Sequence, residues 1–149
     1  MATVVYYFYF SSSNKTIIKN PLPQDSISDS IVVYKSTRKL SLYYKGKLLK
    51  SYHISLGDSP LGHKEKEGDE KTPEGLYIIS GRNPNSKYHL SLRISYPNET
   101  DKLNALNNGY SPGGDIMIHG LPNNTSFLED YYINNDWTDG CLAVTNEEI

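Results

Sequence analysis

Cysteine is nearly absent: the 149-residue chain holds one, Cys141. A single thiol excludes an internal disulfide and any multi-cysteine zinc site. No Cys-x-x-Cys or His-x-x-x-His pair is present either, so neither a metal nor a cofactor is expected. Charge of one sign is lacking, with 15 Lys and Arg against 17 Asp and Glu. Without a basic face, nucleic acid is not an expected partner. Long apolar runs are lacking too. Val4–Phe10 is apolar and aromatic, but far short of the roughly 20 residues that span a bilayer. It also lacks the basic start and small-residue cleavage site of a signal peptide. It reads as the remnant of a trimmed export anchor or as an edge strand. Internal repeats and coiled-coil heptads are missing.

What is abundant is tyrosine, 13 residues, together with Thr, Ser and Asn. That profile fits a β-rich protein with a polar surface. The length suits one domain. Residues 1–30 read as an N-terminal segment and a Pro- and Ser-containing connector, and residues 31–149 as the folded domain. Strands are expected at Ile31–Tyr34, Lys39–Tyr44 and Lys47–Leu56, the last two forming a hairpin around Lys45-Gly46. His53 falls in a strand with no assigned role. Residues 57–75 form a long polar loop with glycines at 57, 62, 68 and 75, and such loops are often functional. Its charges are expected to be solvated. Further strands are expected at Leu76–Ser80, Tyr88–Tyr96, Asp115–His119 and Leu142–Val144, with a turn over Gly81–Ser86. Short helices are expected at Asp101–Asn108 and Phe127–Tyr132. Thr145-x-x-Glu148 has the form of a capping box that opens a helix, so the domain is expected to continue past Ile149. The whole reads as a mainly β sandwich or barrel with a few short helices and long loops.

The chemistry concentrates between Met117 and Asn146. An ordinary thiol has a pKa of roughly 8.5 and needs a base to become nucleophilic near neutrality. His119, at the end of a predicted strand, is placed to be that base. Gly140 before Cys141 allows a tight turn whose amides face a developing oxyanion. Three classes are open on these residues: a cysteine acyl-transferase or hydrolase, a metal site of His119, Cys141 and an aspartate, and a binding module using Trp137 and the tyrosines. The close ligand pairs of zinc sites are missing, which sets the metal reading last.

His119-Gly120 followed by Thr138-Asp139-Gly140-Cys141, with Gly68-Asp69-Glu70-Lys71-Thr72-Pro73-Glu74-Gly75 upstream, resembles the L,D-transpeptidase (YkuD-type) catalytic domain family. The resemblance covers about Ile31 to Ile149. Residues 88–98 and Asp136-Trp137-Thr138 resemble the branch that includes an amidase cleaving the link between peptidoglycan and its attached lipoprotein. The resemblance implies a β-sandwich-like fold with Cys141 as nucleophile, His119 as base, and the Gly120 carbonyl orienting the imidazole. Amides around Gly140 and Cys141, within the Thr138–Cys141 turn, would hold the oxyanion. Trp137, His89 and Tyr88 are the substrate-binding candidates. It further implies peptidoglycan stem peptides as substrate, a wall-linked lipoprotein as a further partner, a monomer, and an extracytoplasmic location. The implied acyl-enzyme on Cys141 is resolved by an amine or by water. Two positions differ from the commoner pattern: Asp139 replaces a second histidine, and Ala143 replaces an arginine.

Overall fold

A computed structural model describes residues 4–7, as backbone, and 22–149. Eight strands occur in chain order: β1 (Val4–Tyr7), β2 (Ser30–Tyr34), β3 (Lys39–Tyr44), β4 (Lys47–His53), β5 (Tyr77–Ser86), β6 (His89–Ile94), β7 (Met117–His119) and β8 (Leu142–Ala143). Two helices, α1 (Glu99–Asn107) and α2 (Glu129–Asn134), flank β7 in the sequence. No helix among the described residues is long and apolar enough to cross a membrane.

The spatial order is β4-β3-β2-β1-β5-β6-β7-β8, two sheets joined where β1 pairs with β5. Val4–Tyr7 therefore lies inside the strand order, parallel to β2 and antiparallel to β5, and not at an edge. The barrel half of the fold expectation does not hold. The chain leaves β4 at His53, and among the described residues the pairing beyond it is limited to the isolated bridges Ser55↔Ala143 and Gly57↔Thr138.

The strands form where alternation is strongest. In β2, Ile31 and Val33 are buried and their neighbours half-buried. Ile31, Val33 and Leu40 share one cluster with Ile54, Leu56, Tyr77, Ile94, Ile118 and Leu142, so both sheets bury their apolar faces in a single core. The β3–β4 turn is Lys45-Gly46, both at positive φ (50° and 76°), the geometry that matches strand twist.

Three expectations shift. Gly81–Ser86 is not a turn but the second half of β5, because register shifts at Ile79/Gly81 and Asn83/Ser86 absorb Gly81 and Pro84. The turn is instead Lys87-Tyr88, between the paired Ser86 and His89. Helix α1 begins earlier than expected, at Glu99, because Asn98 and Asp101 form a reciprocal capping box. The 57–75 loop does not simply solvate its charges. Lys64 and Asp69 form an ion pair at 2.8 Å with side chains 3% and 6% exposed. At the C-terminus the Thr145 N–H donates to Glu148 Oε2 at 3.1 Å, one arm of the expected capping box.

Candidate active site

The parallel pairing of β7 with β8 sets the site. Ile118 aligns with Leu142 and His119 with Ala143, which places Cys141, just before β8, beside Met117. Side chains alternate along a strand. His119 and Cys141 thus project from the same face of neighbouring strands, offset by two residues. Such diagonal neighbours lie roughly 7–8 Å apart at their backbone, within the combined reach of an imidazole and a thiol. Both residues line a cavity of about 540 Å³, together with Tyr88, Asp115, Trp137, Thr138 and Asp139.

His119 is 2% exposed. Its Nδ1 lies 2.6 Å from the Gly120 carbonyl. A carbonyl can only accept, so Nδ1 carries the proton and Nε2 keeps the basic lone pair. The ring stacks on Tyr88, with centroids 4.4 Å apart and planes at 26°, and meets Trp137 edge-on at 5.7 Å. Burial lowers its pKa from the ordinary value, the Gly120 hydrogen bond opposes this, and Lys87 adds to the lowering. Gly120 cannot carry a side chain: a Cβ there would stand 2.5 Å from Asn146 Oδ1 and 3.0 Å from the Tyr88 carbonyl.

Cys141 is half-buried. Burial pushes its thiol pKa up, the Met117 amide opposes this, and the Asp139 and Asp115 carboxylates push it further. Its Sγ lies 3.6 Å from the Asp115 carbonyl. Both shifts favour the neutral form, of the imidazole and of the thiol alike. Thr138, buried, holds the turn: its hydroxyl donates to the Cys141 carbonyl at 2.7 Å and accepts from the Gly140 N–H at 3.2 Å. The Gly140 amide is thus engaged within the turn, so of the expected Gly140 and Cys141 amides it is the Cys141 N–H that is left as a donor among the described residues. Gly140 has φ +121°, and a Cβ there would stand 2.5 Å from the Lys71 carbonyl. The long loop is pressed against the nucleophile turn at that point.

Of the expected residues, Cys141, His119, Thr138, Asp139, Trp137 and Tyr88 come together around the cavity. His89 does not line it; it is exposed at the start of β6 with φ +64°. Asp139 is exposed at the cavity wall.

The sequence reading missed two groups. Arg38, at φ +47° after β2, grips Asp136 through Nε (3.1 Å) and NH2 (2.5 Å) to Oδ2. Asp136 Oδ1 also accepts the Leu56 N–H at 2.9 Å. The Trp137 and Thr138 amides both donate to the Leu56 carbonyl at 3.1 Å. This clamp fixes the segment leading into Cys141. Arg38 lies 98 positions from Asp136, and no local pattern announces such a pair. Asn123, the second missed group, bonds the Lys87-Tyr88 turn from 34 to 37 positions away.

Comparison with known proteins identifies the family. Residues 28–149 match the family described as L,D-transpeptidase catalytic domain, YkuD. The chain is 31% identical over 147 residues to "Putative L,D-transpeptidase YafK" of Escherichia coli K12, with 93% of this chain and 52% of that protein covered. The O157:H7 counterpart matches equally. The chain thus spans about half the length of the curated relatives it matches. The structure of Bdellovibrio bacteriovorus Bd1075 matches with a TM-score of 0.50 at 29% identity, over 79% of this chain and 40% of that one. With its mainly β fold and the family match over most of its length, the chain belongs to the L,D-transpeptidase YkuD family.

Proposed function

We propose that this domain is a cysteine acyl-transferase acting on peptidoglycan stem peptides outside the cytoplasmic membrane. The observation that carries the reading is the β7–β8 register, which sets His119 and Cys141 on one face at one cavity. As substrate enters, His119 Nε2 removes the Cys141 proton while Nδ1 stays bonded to the Gly120 carbonyl. The thiolate attacks the carbonyl of the third stem residue, a diaminopimelate. The Cys141 amide meets the oxyanion, the imidazolium returns its proton to the leaving amine, and a thioester remains. An acceptor amine then resolves the thioester into a 3→3 crosslink.

A second outcome has its own support. Asp139 stands exposed at the cavity wall beside Cys141, where it would pair with a cationic amine. In the amidase reading the leaving amine is the lysine of a wall-linked lipoprotein, and water resolves the thioester. Purified domain given crosslinked and lipoprotein-bearing sacculi, followed by muropeptide analysis, separates the two. New 3→3 crosslinks identify the transpeptidase and released lipoprotein the amidase. If neither appears and Cys141 stays unmodified, the domain is a wall-binding module. Asp139→Ala is expected to weaken substrate binding; unchanged affinity and turnover would remove Asp139 from the site.

A further inference from the structure

The Lys87-Tyr88 turn is fixed more firmly than an exposed hairpin tip requires. Asn123, from the segment after β7, takes three hydrogen bonds around it. Its side-chain carbonyl accepts the His89 N–H at 3.0 Å, its amide nitrogen donates to the Ser86 carbonyl at 3.1 Å, and its backbone N–H donates to the Lys87 carbonyl at 3.0 Å. The Gly120 N–H, next to the base, donates to the Tyr88 carbonyl at 3.1 Å. The tip is thereby locked onto the His119-Gly120 turn.

Two side chains are held by this arrangement. Tyr88 stacks on His119. Lys87 projects along the cavity wall, its ammonium 5.3 Å from the centroid of the Tyr88 ring. Lys87 has no carboxylate partner among the described residues. Of the carboxylates lining the same cavity, Asp115 is already engaged by Arg93 at 2.5 Å, while Asp139 has no ion pair among the described residues. Among the described residues the lining therefore carries one cation and one carboxylate without an ion-pair partner, Lys87 and Asp139.

We infer that Lys87 is a specificity residue that binds the side-chain carboxylate of the residue whose carbonyl Cys141 attacks. The inference rests on the acyl-transfer reading for the identity of that residue. It goes beyond that reading by assigning a carboxylate subsite to the β5–β6 tip. An amino acid with an amine and a carboxylate at the end of its side chain suits a cavity lined by both Asp139 and Lys87. Binding is also linked to the chemistry: burial lowers the His119 pKa and the Lys87 charge adds to that lowering, so a carboxylate paired with Lys87 removes the smaller contribution as substrate arrives.

The test uses Cys141→Ala protein, so that binding is read without turnover. Calorimetric titration compares two stem tetrapeptides with diaminopimelate at the third position, one with its side-chain carboxyl free and one with it amidated. The free carboxylate is expected to bind about tenfold more tightly, the scale of one charge-assisted hydrogen bond. Adding Lys87→Gln is expected to abolish the difference while leaving affinity for the amidated peptide unchanged, and Lys87→Arg to retain it. Asn123→Ala is expected to reduce the preference without removing it. Equal affinities in the Cys141→Ala protein, no binding of either peptide, or an unaltered preference in Lys87→Gln would each overturn the inference. Failure of the acyl-transfer reading shows separately, as a carboxylate preference in a protein whose Cys141 never forms an adduct.

Discussion

His119 and Cys141 are both biased toward their neutral forms, His119 by burial and Cys141 by burial with two nearby carboxylates. The pair therefore differs from a preformed thiolate–imidazolium. A lowered imidazole pKa keeps the base unprotonated below its ordinary 6.5, and a raised thiol pKa keeps the sulfur protonated above its ordinary 9.0. Alkylation of Cys141 by iodoacetamide is accordingly expected to rise with pH only in the alkaline range. Turnover is expected to hold a plateau from below pH 6.5 upward. A thiol that alkylates fully at pH 6 would show a preformed ion pair instead. Thr138 acts on the same turn. Thr138→Val keeps the shape but leaves the Gly140 N–H without its partner, a loss of about 1–3 kcal/mol for a buried donor. Urea midpoints and the rate of Cys141 modification are expected to fall together. That His119 and Cys141 would meet at one cavity was legible, because a thiol nucleophile and an imidazole base are the residue types such chemistry needs. That His89 lies off the cavity lining was not, because the sequence does not show which way the residue after the Lys87-Tyr88 turn faces.

Among the elements, the 57–75 loop shows how a charged stretch becomes a scaffold. Asp69 accepts the Lys64 ammonium and the amides of Glu65, Lys66 and Lys71. These bonds outweigh burial and hold its carboxyl down at about 2. Asp69 is depressed below its ordinary 3.8, so its contribution is present above pH 4 and is lost as pH falls from about 4 to 2. The size is on the order of 2 kcal/mol. Asp69→Asn is expected to lower the urea midpoint at pH 7 and to flatten the acid limb of the stability curve. A variant with unchanged stability at pH 7 would show that the loop is held by its other bonds. Lys35, buried, reaches the Gly62 and Thr72 carbonyls and Glu74, and Gly57 approaches the Glu70 carbonyl too closely for any side chain. Neither tie was legible in the sequence, because each joins segments that only the fold brings together. The strands themselves were legible, since their alternation is local. Gly81–Ser86 was not, because Gly and Pro signal a turn unless a partner strand accepts a bulge.

On the scale of the molecule, one core is shared by two sheets whose seam is β1. A proline at Val5 would remove a ladder donor from an interior strand, where proline is not accommodated. Because the core is shared, both sheets are expected to unfold in one transition at a lower denaturant concentration. Separate transitions would mean that the halves are independent. The Arg38–Asp136 clamp also acts at this scale, tying the β2–β3 connection to the nucleophile segment. Arg38→Ala is expected to lower kcat more than it raises KM, and Arg38→Lys to restore it only in part, since an ammonium cannot supply the fork.

The central claim is that Cys141 is a nucleophile activated by His119. Its most direct measurement is the mass of the peptide containing Cys141 after the folded domain is incubated with a carbapenem-type β-lactam near pH 7. An acyl adduct on Cys141 is expected in the wild-type protein, none in Cys141→Ser, and formation about 100-fold or more slower in His119→Gln. An unmodified Cys141, or an adduct that forms equally fast without His119, would contradict it.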